Sequence, residues 1–247
     1  MDLTGGFKLR YRITGDNMQI LTLELEPNEL VYAEAGAMIY MSGNVAMEAK
    51  ARGGFWKGLK RKFMGETFFM TEFTPRGGPG IVAFAGNVPG KIKPIQVAPD
   101  REFMLQKDAF LCAENSVELD IAFQRRLGAA IFGGEGFILQ RVFGHGLAFI
   151  HACGDFVEMD LKPNQIIKVD TGSVVGWEHT VKFDIQRAGN IKTSLFGGEG
   201  LFLTTLQGPG KIILQSLTLG NLAAALRPYF GGQTSGRGIA LSTLIGD

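Results

Sequence analysis

The chain carries one sequence pattern three times over, and this repeat constrains the fold more than any other feature. Each copy opens with an alternating strand that runs into a proline turn, at Pro27, Pro99 and Pro163. The two intervals between successive prolines are similar in length. Nine residues further on lies a second turn, at Gly36, Asp108 and Gly172. The spacing predicts three tandem modules of roughly 60 to 70 residues each.

Two further turns recur after the prolines at similar spacing. A glycine-glutamate turn precedes a strongly apolar strand in every copy, at Glu66, Glu135 and Glu199. A glycine-centred turn follows, Gly144-His145-Gly146 in the second copy and Gly208-Pro209-Gly210 in the third. Such turns between two apolar strands are typical of a hairpin.

The residue content favours short strands over helices. The 35 glycines and 19 phenylalanines indicate many tight turns between strands with buried rings, and a helical bundle would not tolerate so much glycine. The alternation of Leu21, Leu23 and Leu25 with polar residues is that of a half-buried strand. In the tail, Asn221 is a candidate N-cap for a helix over 222–226, which Pro228 would stop.

We therefore predict an all-β fold of three tandem β modules with a short C-terminal helix. The predicted boundaries are 1–90 for a first module with a basic insertion, 91–154 for the second, 155–216 for the third, and 217–247 for the helix and a flexible tail.

The sequence also resembles a known family over about residues 7 to 230. The most specific block is Phe196-Gly197-Gly198-Glu199-Gly200-Leu201-Phe202-Leu203, with weaker copies around Glu135 and Glu66. It resembles the family that includes the mitochondrial altered-inheritance protein of yeast. The resemblance implies a fold similar to the tryptophan RNA-binding attenuator protein, a shortened double-stranded β-helix that assembles into rings, and a homotrimer with a pseudo-threefold arrangement of modules. It implies no enzymatic activity.

Net charge and cysteine content give no overall sign of a nucleic-acid binder, a membrane binder or a metal protein, so any such role must come from a local patch. The formal net charge is +1, so there is no global signature of a nucleic-acid or membrane binder. Cys112 and Cys153 lie in apolar flanks outside any metal-ligand spacing, and we interpret both as reduced packing residues. The N-terminal residues do not resemble a signal peptide, and no apolar run approaches the roughly 20 residues of a transmembrane helix. We expect a cytoplasmic protein, with peripheral membrane association left open.

The strongest local signal is positive charge just before each glutamate turn. Basic residues collect there in all three copies: Lys50, Arg52, Lys57, Lys60, Arg61 and Lys62, then Arg125 and Arg126, then Arg187 and Lys192. Trp56 lies in the first of these loops with other aromatic and apolar residues at helical spacing. A basic, aromatic loop suits an anionic membrane surface; the same charges would suit RNA phosphates, and a solvated connecting loop is the plainer interpretation.

Other chemistry finds less support in the sequence. The three turn glutamates would form a symmetric carboxylate ring for a cation or basic partner, or would simply accept backbone N–H groups. His145, His151 and His179 lack the spacing of a cupin-like metal site. No hydrolase or nucleotide-binding motif is present. We predict no catalytic residue, cofactor, metal or small-molecule substrate. The chain is expected to be an oligomeric interaction scaffold for an anionic membrane surface or a protein partner, with an RNA-binding ring and a metal-dependent enzyme as alternatives.

Overall fold

The computed structural model describes residues 9–51, 69–125, 137–187 and 202–230. Within these ranges the chain forms 19 strands and one short C-terminal helix. The prediction of an all-β chain ending in a short helix is confirmed.

The strands fall into three consecutive groups of six, which we call units 1, 2 and 3, preceded by one extra strand. The extra strand is β1 (Arg10–Thr14). Unit 1 consists of β2 (Ile20–Leu25), β3 (Val31–Glu34), β4 (Met38–Met41), β5 (Val45–Ala51), β6 (Phe69–Pro75) and β7 (Gly80–Ala85). Unit 2 consists of β8 (Gly90–Val97), β9 (Phe103–Gln106), β10 (Phe110–Glu114), β11 (Val117–Arg125), β12 (Phe137–Gly144) and β13 (Gly146–Cys153). Unit 3 consists of β14 (Phe156–Leu161), β15 (Ile166–Asp170), β16 (Val174–Glu178), β17 (Lys182–Arg187), β18 (Phe202–Gln207) and β19 (Gly210–Gln215).

The four sheets do not coincide with the units. Their strand orders are β1-β2-β7-β4, β5-β6-β3-β10-β13-β8, β11-β12-β9-β16-β19-β14 and β15-β18-β17. Each six-stranded sheet therefore joins the fourth, fifth and second strands of one unit to the third, sixth and first strands of the next. The joint is an antiparallel pairing, β3 with β10 and β9 with β16, in the same register both times.

The third strand of every unit contains a β-bulge at the same place. The register against the sixth strand shifts between Met38 and Tyr40, between Phe110 and Cys112, and between Val174 and Gly176. The bulged residues are thus Ile39, Leu111 and Val175, and each follows the turn proline of its unit at the same offset along the chain. A bulge re-aims a side chain and bends its strand, so each unit directs one apolar residue in the same way.

Three apolar cores lie between the sheets. Leu111 of unit 2 belongs to a core formed largely by unit 1, and Val175 of unit 3 belongs to one formed largely by unit 2. Strand β13 is buried along its whole length, as expected for an apolar strand covered on both faces. Cys112 and Cys153 are free and buried, and burial raises the pKa of both thiols.

The proline turns are as predicted, but the glycine-centred turns are not hairpins. Asn28 and Asn164, which follow prolines, have φ of 66° and 64°, as the third residue of a type II turn requires. Gly144 and Gly146 also have positive φ. The strands on either side of them, β12 and β13, lie in different sheets, so this turn carries the chain from one sheet to another. The hairpins are instead formed by β5 with β6, β11 with β12 and β17 with β18, one in each unit, and by β1 with β2.

The C-terminal helix α1 (Leu219–Leu226) begins earlier than predicted. Its N-cap is Thr218 rather than Asn221: the Thr218 hydroxyl accepts a hydrogen bond from the Asn221 backbone N–H at 3.0 Å. Both residue types cap helices well. A 3-10 turn over Arg227–Phe230 follows the helix and contains Pro228.

Candidate functional site

The basic residues predicted to bind an anionic surface are described at three positions. Lys50, Arg125 and Arg187 all lie at or next to the last residue of the fourth strand of their unit. Each of these strands pairs with the fifth strand, so the last described residue before the intervening segment lies at the same end of the same strand pair in every unit. The repeat therefore places Lys50, Arg125 and Arg187 at equivalent positions of the three units.

Lys50 is already engaged by carboxylates. Its Nζ lies 2.6 Å from Glu72 Oε2 and 3.5 Å from Glu48 Oε2, and the hydrogen bond with Glu72 raises the pKa of Lys50. Glu72 is buried, so the lysine compensates a carboxylate of the fold. Arg187 is exposed at the end of β17. Of these two side chains, Arg187 is the better placed to meet a ligand.

The remaining residues of the predicted sites lie outside the described residues. They are Arg52, Trp56, Lys57, Lys60, Arg61, Lys62, Arg126 and Lys192 of the basic loops, and the turn glutamates Glu66, Glu135 and Glu199.

Metal-binding residues do not converge in the described ranges. No group of three His, Cys, Asp or Glu side chains there is arranged to hold an ion. His151 is buried in β13, and burial lowers its pKa, while His145 and His179 lie in turns. In the same part of the chain, no helix is long and apolar enough to cross a bilayer.

Each unit has a polar acceptor that sequence reasoning missed. This acceptor is the side chain of a residue at the end of the third strand or directly after it. It accepts a hydrogen bond from the backbone N–H of the second residue of the sixth strand. In unit 1, Ser42 Oγ accepts from Ile81 N at 2.6 Å; in units 2 and 3, Glu114 and Glu178 accept from Leu147 N and Lys211 N. The three acceptors also keep a constant offset from the turn prolines of their units. Aligning the copies on their prolines would have revealed them.

The first and last sheets present complementary edges. Among the described strands, β4 ends the first sheet and β15 ends the last. β4 is a third strand and β15 is a second strand, and these are the two kinds that join units inside the chain.

The bulged residues of the three units differ in burial. Leu111 is 2% exposed and Val175 is 1% exposed, whereas Ile39 at the equivalent position of unit 1 is 53% exposed. Tyr40, which follows Ile39, and Ile81 on the neighbouring strand β7 are also exposed. An apolar residue that units 2 and 3 bury against the preceding unit is thus left uncovered in unit 1.

This fold and its open edges define an all-β repeat protein whose sheets run across the unit boundaries. The sequence model of the family described as mitochondrial biogenesis AIM24 matches residues 11–217. The chain belongs to this family.

Two Streptococcus pyogenes proteins are similar over nearly the full length. An uncharacterised protein of serotype M6 is 30% identical over 231 residues, which cover 89% of this chain and 91% of that protein. A crystal structure from the same species has a TM-score of 0.73 at 25% identity and covers 90% of this chain and 100% of the crystallised one. The relatives confirm the family resemblance seen in the sequence and the all-β fold.

Proposed function

We propose that this protein is a self-assembling β scaffold in which β15 of one copy joins β4 of the next. The observation that carries the proposal is the exposure of Ile39 at a position that units 2 and 3 bury. Joining the copies would continue the rule by which the chain builds its own six-stranded sheets. The result would be a β17-β18-β15-β4-β7-β2-β1 sheet with strands from two copies.

The internal joints supply the register of this contact. At these joints Cys112 pairs with Ala33 and Gly176 pairs with Leu105. The same register is applied to β4, the third strand of unit 1, and β15, the second strand of unit 3. It pairs Tyr40 of one copy with Val169 of the adjoining copy, and Met41 with Lys168. Head-to-tail contacts form a ring when the rotation between copies closes, and a filament when it does not. We propose a closed ring of three copies, the number implied by the family resemblance.

An engineered disulfide tests the joint. Opposed residues of an antiparallel pair have Cα atoms about 4.5 to 5.5 Å apart, within the range of a disulfide. A chain with Met41→Cys and Lys168→Cys is expected to form covalent dimers and trimers on mild oxidation, and light scattering should give three times the 26.8 kDa chain mass. The matched control pairs Met41→Cys with Lys182→Cys on β17, away from the joint. A monomer at working concentrations, with no crosslinking in either variant, would refute the scaffold.

The assembled scaffold would gather the basic hairpin loops. Because these segments connect the same two paired strands in every unit, the ring would bring their starting points to equivalent positions around one rim. We propose that this rim contacts an anionic membrane surface, which attracts clustered Lys and Arg residues by about 1 kcal/mol each at the surface. The support is the exposed Arg187 at the end of β17, together with the basic loop sequences.

Liposome flotation tests the membrane contact. The protein is expected to float with vesicles containing an anionic lipid and to stay behind with neutral vesicles, and added salt should weaken the contact. Lys60→Glu with Arg61→Glu should reduce flotation severalfold. The control, Arg12→Glu with Lys182→Glu, makes the same change in net charge on strands β1 and β17. Equal losses of flotation in both variants would show that net charge, rather than the loop, is responsible for the membrane contact. Retention of RNA through purification would favour nucleic acid as the partner instead of the membrane.

A further inference from the structure

The C-terminal helix α1 is an apolar element without a described partner surface. Its sequence, Leu-Gly-Asn-Leu-Ala-Ala-Ala-Leu, contains no charged residue, and none of its residues is buried. Leu219 and Leu226 are exposed, and Tyr229 just beyond the helix is 84% exposed. An isolated helix of eight residues is marginal in water and depends on packing of its apolar face. The helix therefore needs a surface to cover it.

The position of α1 shows where that surface would come from. The last strand of units 1 and 2 leads directly into the first strand of the next unit, whereas the last strand of unit 3, β19, leads into α1. The Leu217 backbone N–H donates to the Cys153 carbonyl, at the point where unit 2 passes into unit 3. Thr218 packs beside Gly172, in the turn directly after the open edge strand β15. The helix thus starts where a fourth unit would start.

Two β-bridges between the starts of the units indicate which residue of a second copy would lie near the start of α1. Met18 forms a parallel bridge with Gly90, and Gly90 forms one with Gly154, so the entries to the three units lie side by side. The next member of this series would be Met18 of an adjoining copy. Met18, which lies between β1 and β2, is exposed, as is Ile81 of the first sheet.

We propose that α1 is a strap that packs on the first sheet of the adjoining copy, beginning at its Met18. This inference rests on the head-to-tail assembly proposed above and adds a second contact to the strand joint. The strap would bury the leucines of α1 on one copy against exposed apolar residues of the other. Because strands and helix then hold the same neighbour, loss of the helix contact would weaken the assembly without removing the joint.

Sedimentation over a range of protein concentrations tests the strap. In the full chain, Leu219→Asp with Leu226→Asp alters exposed positions, so the fold should be retained, and the association constant is expected to fall at least tenfold. Met18→Asp should produce a comparable loss from the other side of the contact. The control Asn221→Asp adds a charge to the same helix at a polar position and is expected to associate like the parent chain.

The outcomes separate the strap from the scaffold. If the leucine variant associates normally while Ile39→Asp dissociates, the strap is wrong and the strand joint stands. If the parent chain is monomeric at all concentrations, the scaffold itself is wrong. If the leucine variant assembles fully but no longer floats with anionic vesicles, α1 is covered by lipid rather than by protein, which also overturns the strap.

Discussion

Replacing Trp177 with alanine is expected to lower the free energy of unfolding by about 3 to 5 kcal/mol, the usual cost of emptying a buried aromatic position. Trp177 is fully buried in the core of unit 3. Its ring centroid lies 5.0 Å from that of Phe183, which contacts Phe123 of unit 2 at 5.4 Å. Removing the indole would therefore loosen the packing of two units at once.

A phenylalanine at the same position separates packing from polarity. The indole N–H of Trp177 is buried and has no hydrogen-bond partner among the described residues. Trp177→Phe removes this donor and keeps an aromatic ring, so it should cost clearly less than alanine. Urea unfolding at one fixed protein concentration measures both changes, and Val157→Ala at an exposed position is the control, expected within about 0.5 kcal/mol of the parent. An alanine variant as stable as that control would contradict the packing account.

A methyl group at Gly90 should be the most disruptive small change at the junction of units 1 and 2. A Cβ there would overlap the carbonyl oxygen of Ala152, which belongs to the backbone of β13 and cannot move aside without disturbing the sheet. We expect Gly90→Ala to cost about 3 kcal/mol or more, the upper end of the range for overpacked sites.

Gly86 provides a matched case that can be rescued. The three atoms nearest to a Cβ at Gly86 all belong to the imidazole of His151, which it would overlap. Gly86→Ala should therefore destabilise the parent chain by about 1 to 3 kcal/mol, but cost much less in a His151→Ala background. Gly90→Ala should keep most of its cost there, because its main obstacle is a carbonyl oxygen. Thermal unfolding of the two double variants measures how much stability each glycine change loses when the imidazole is absent. Equal rescue of both glycine changes would show that the clash at Gly90 is not with the backbone.

Local conformation was readable from the sequence, whereas strand partnership was not. The proline turns and the positive φ of Gly144 follow from steric limits that act within a few residues. That the turn at Gly144 would separate two sheets depends on hydrogen bonds to strands far along the chain. An apolar strand on each side of a glycine turn looks the same in both arrangements, so the hairpin interpretation was wrong.

The candidate contact surfaces show the same division. Ile39, Leu111 and Val175 are equally apolar and occupy equivalent bulges, so their sequences predict equal burial. Ile39 differs in having no unit before it among the described residues, and the residues of its own strand do not reveal that difference. The N-cap of α1 was misassigned for a related reason: Thr218 and Asn221 are both good caps, and the packing of Thr218 beside Gly172 favours the earlier start.

The sharing of sheets between units also bears on how the chain folds. Ala33 of unit 1 pairs with Cys112 of unit 2, far along the sequence, so neither six-stranded sheet can form until two units have come together. A single unit cut from the chain would leave two half-sheets with bare edges, which are prone to pair with other chains. Such long-range pairing makes folding slow. We therefore expect the three units to unfold in one cooperative transition, and newly made chains to be most vulnerable to aggregation before their last unit is complete.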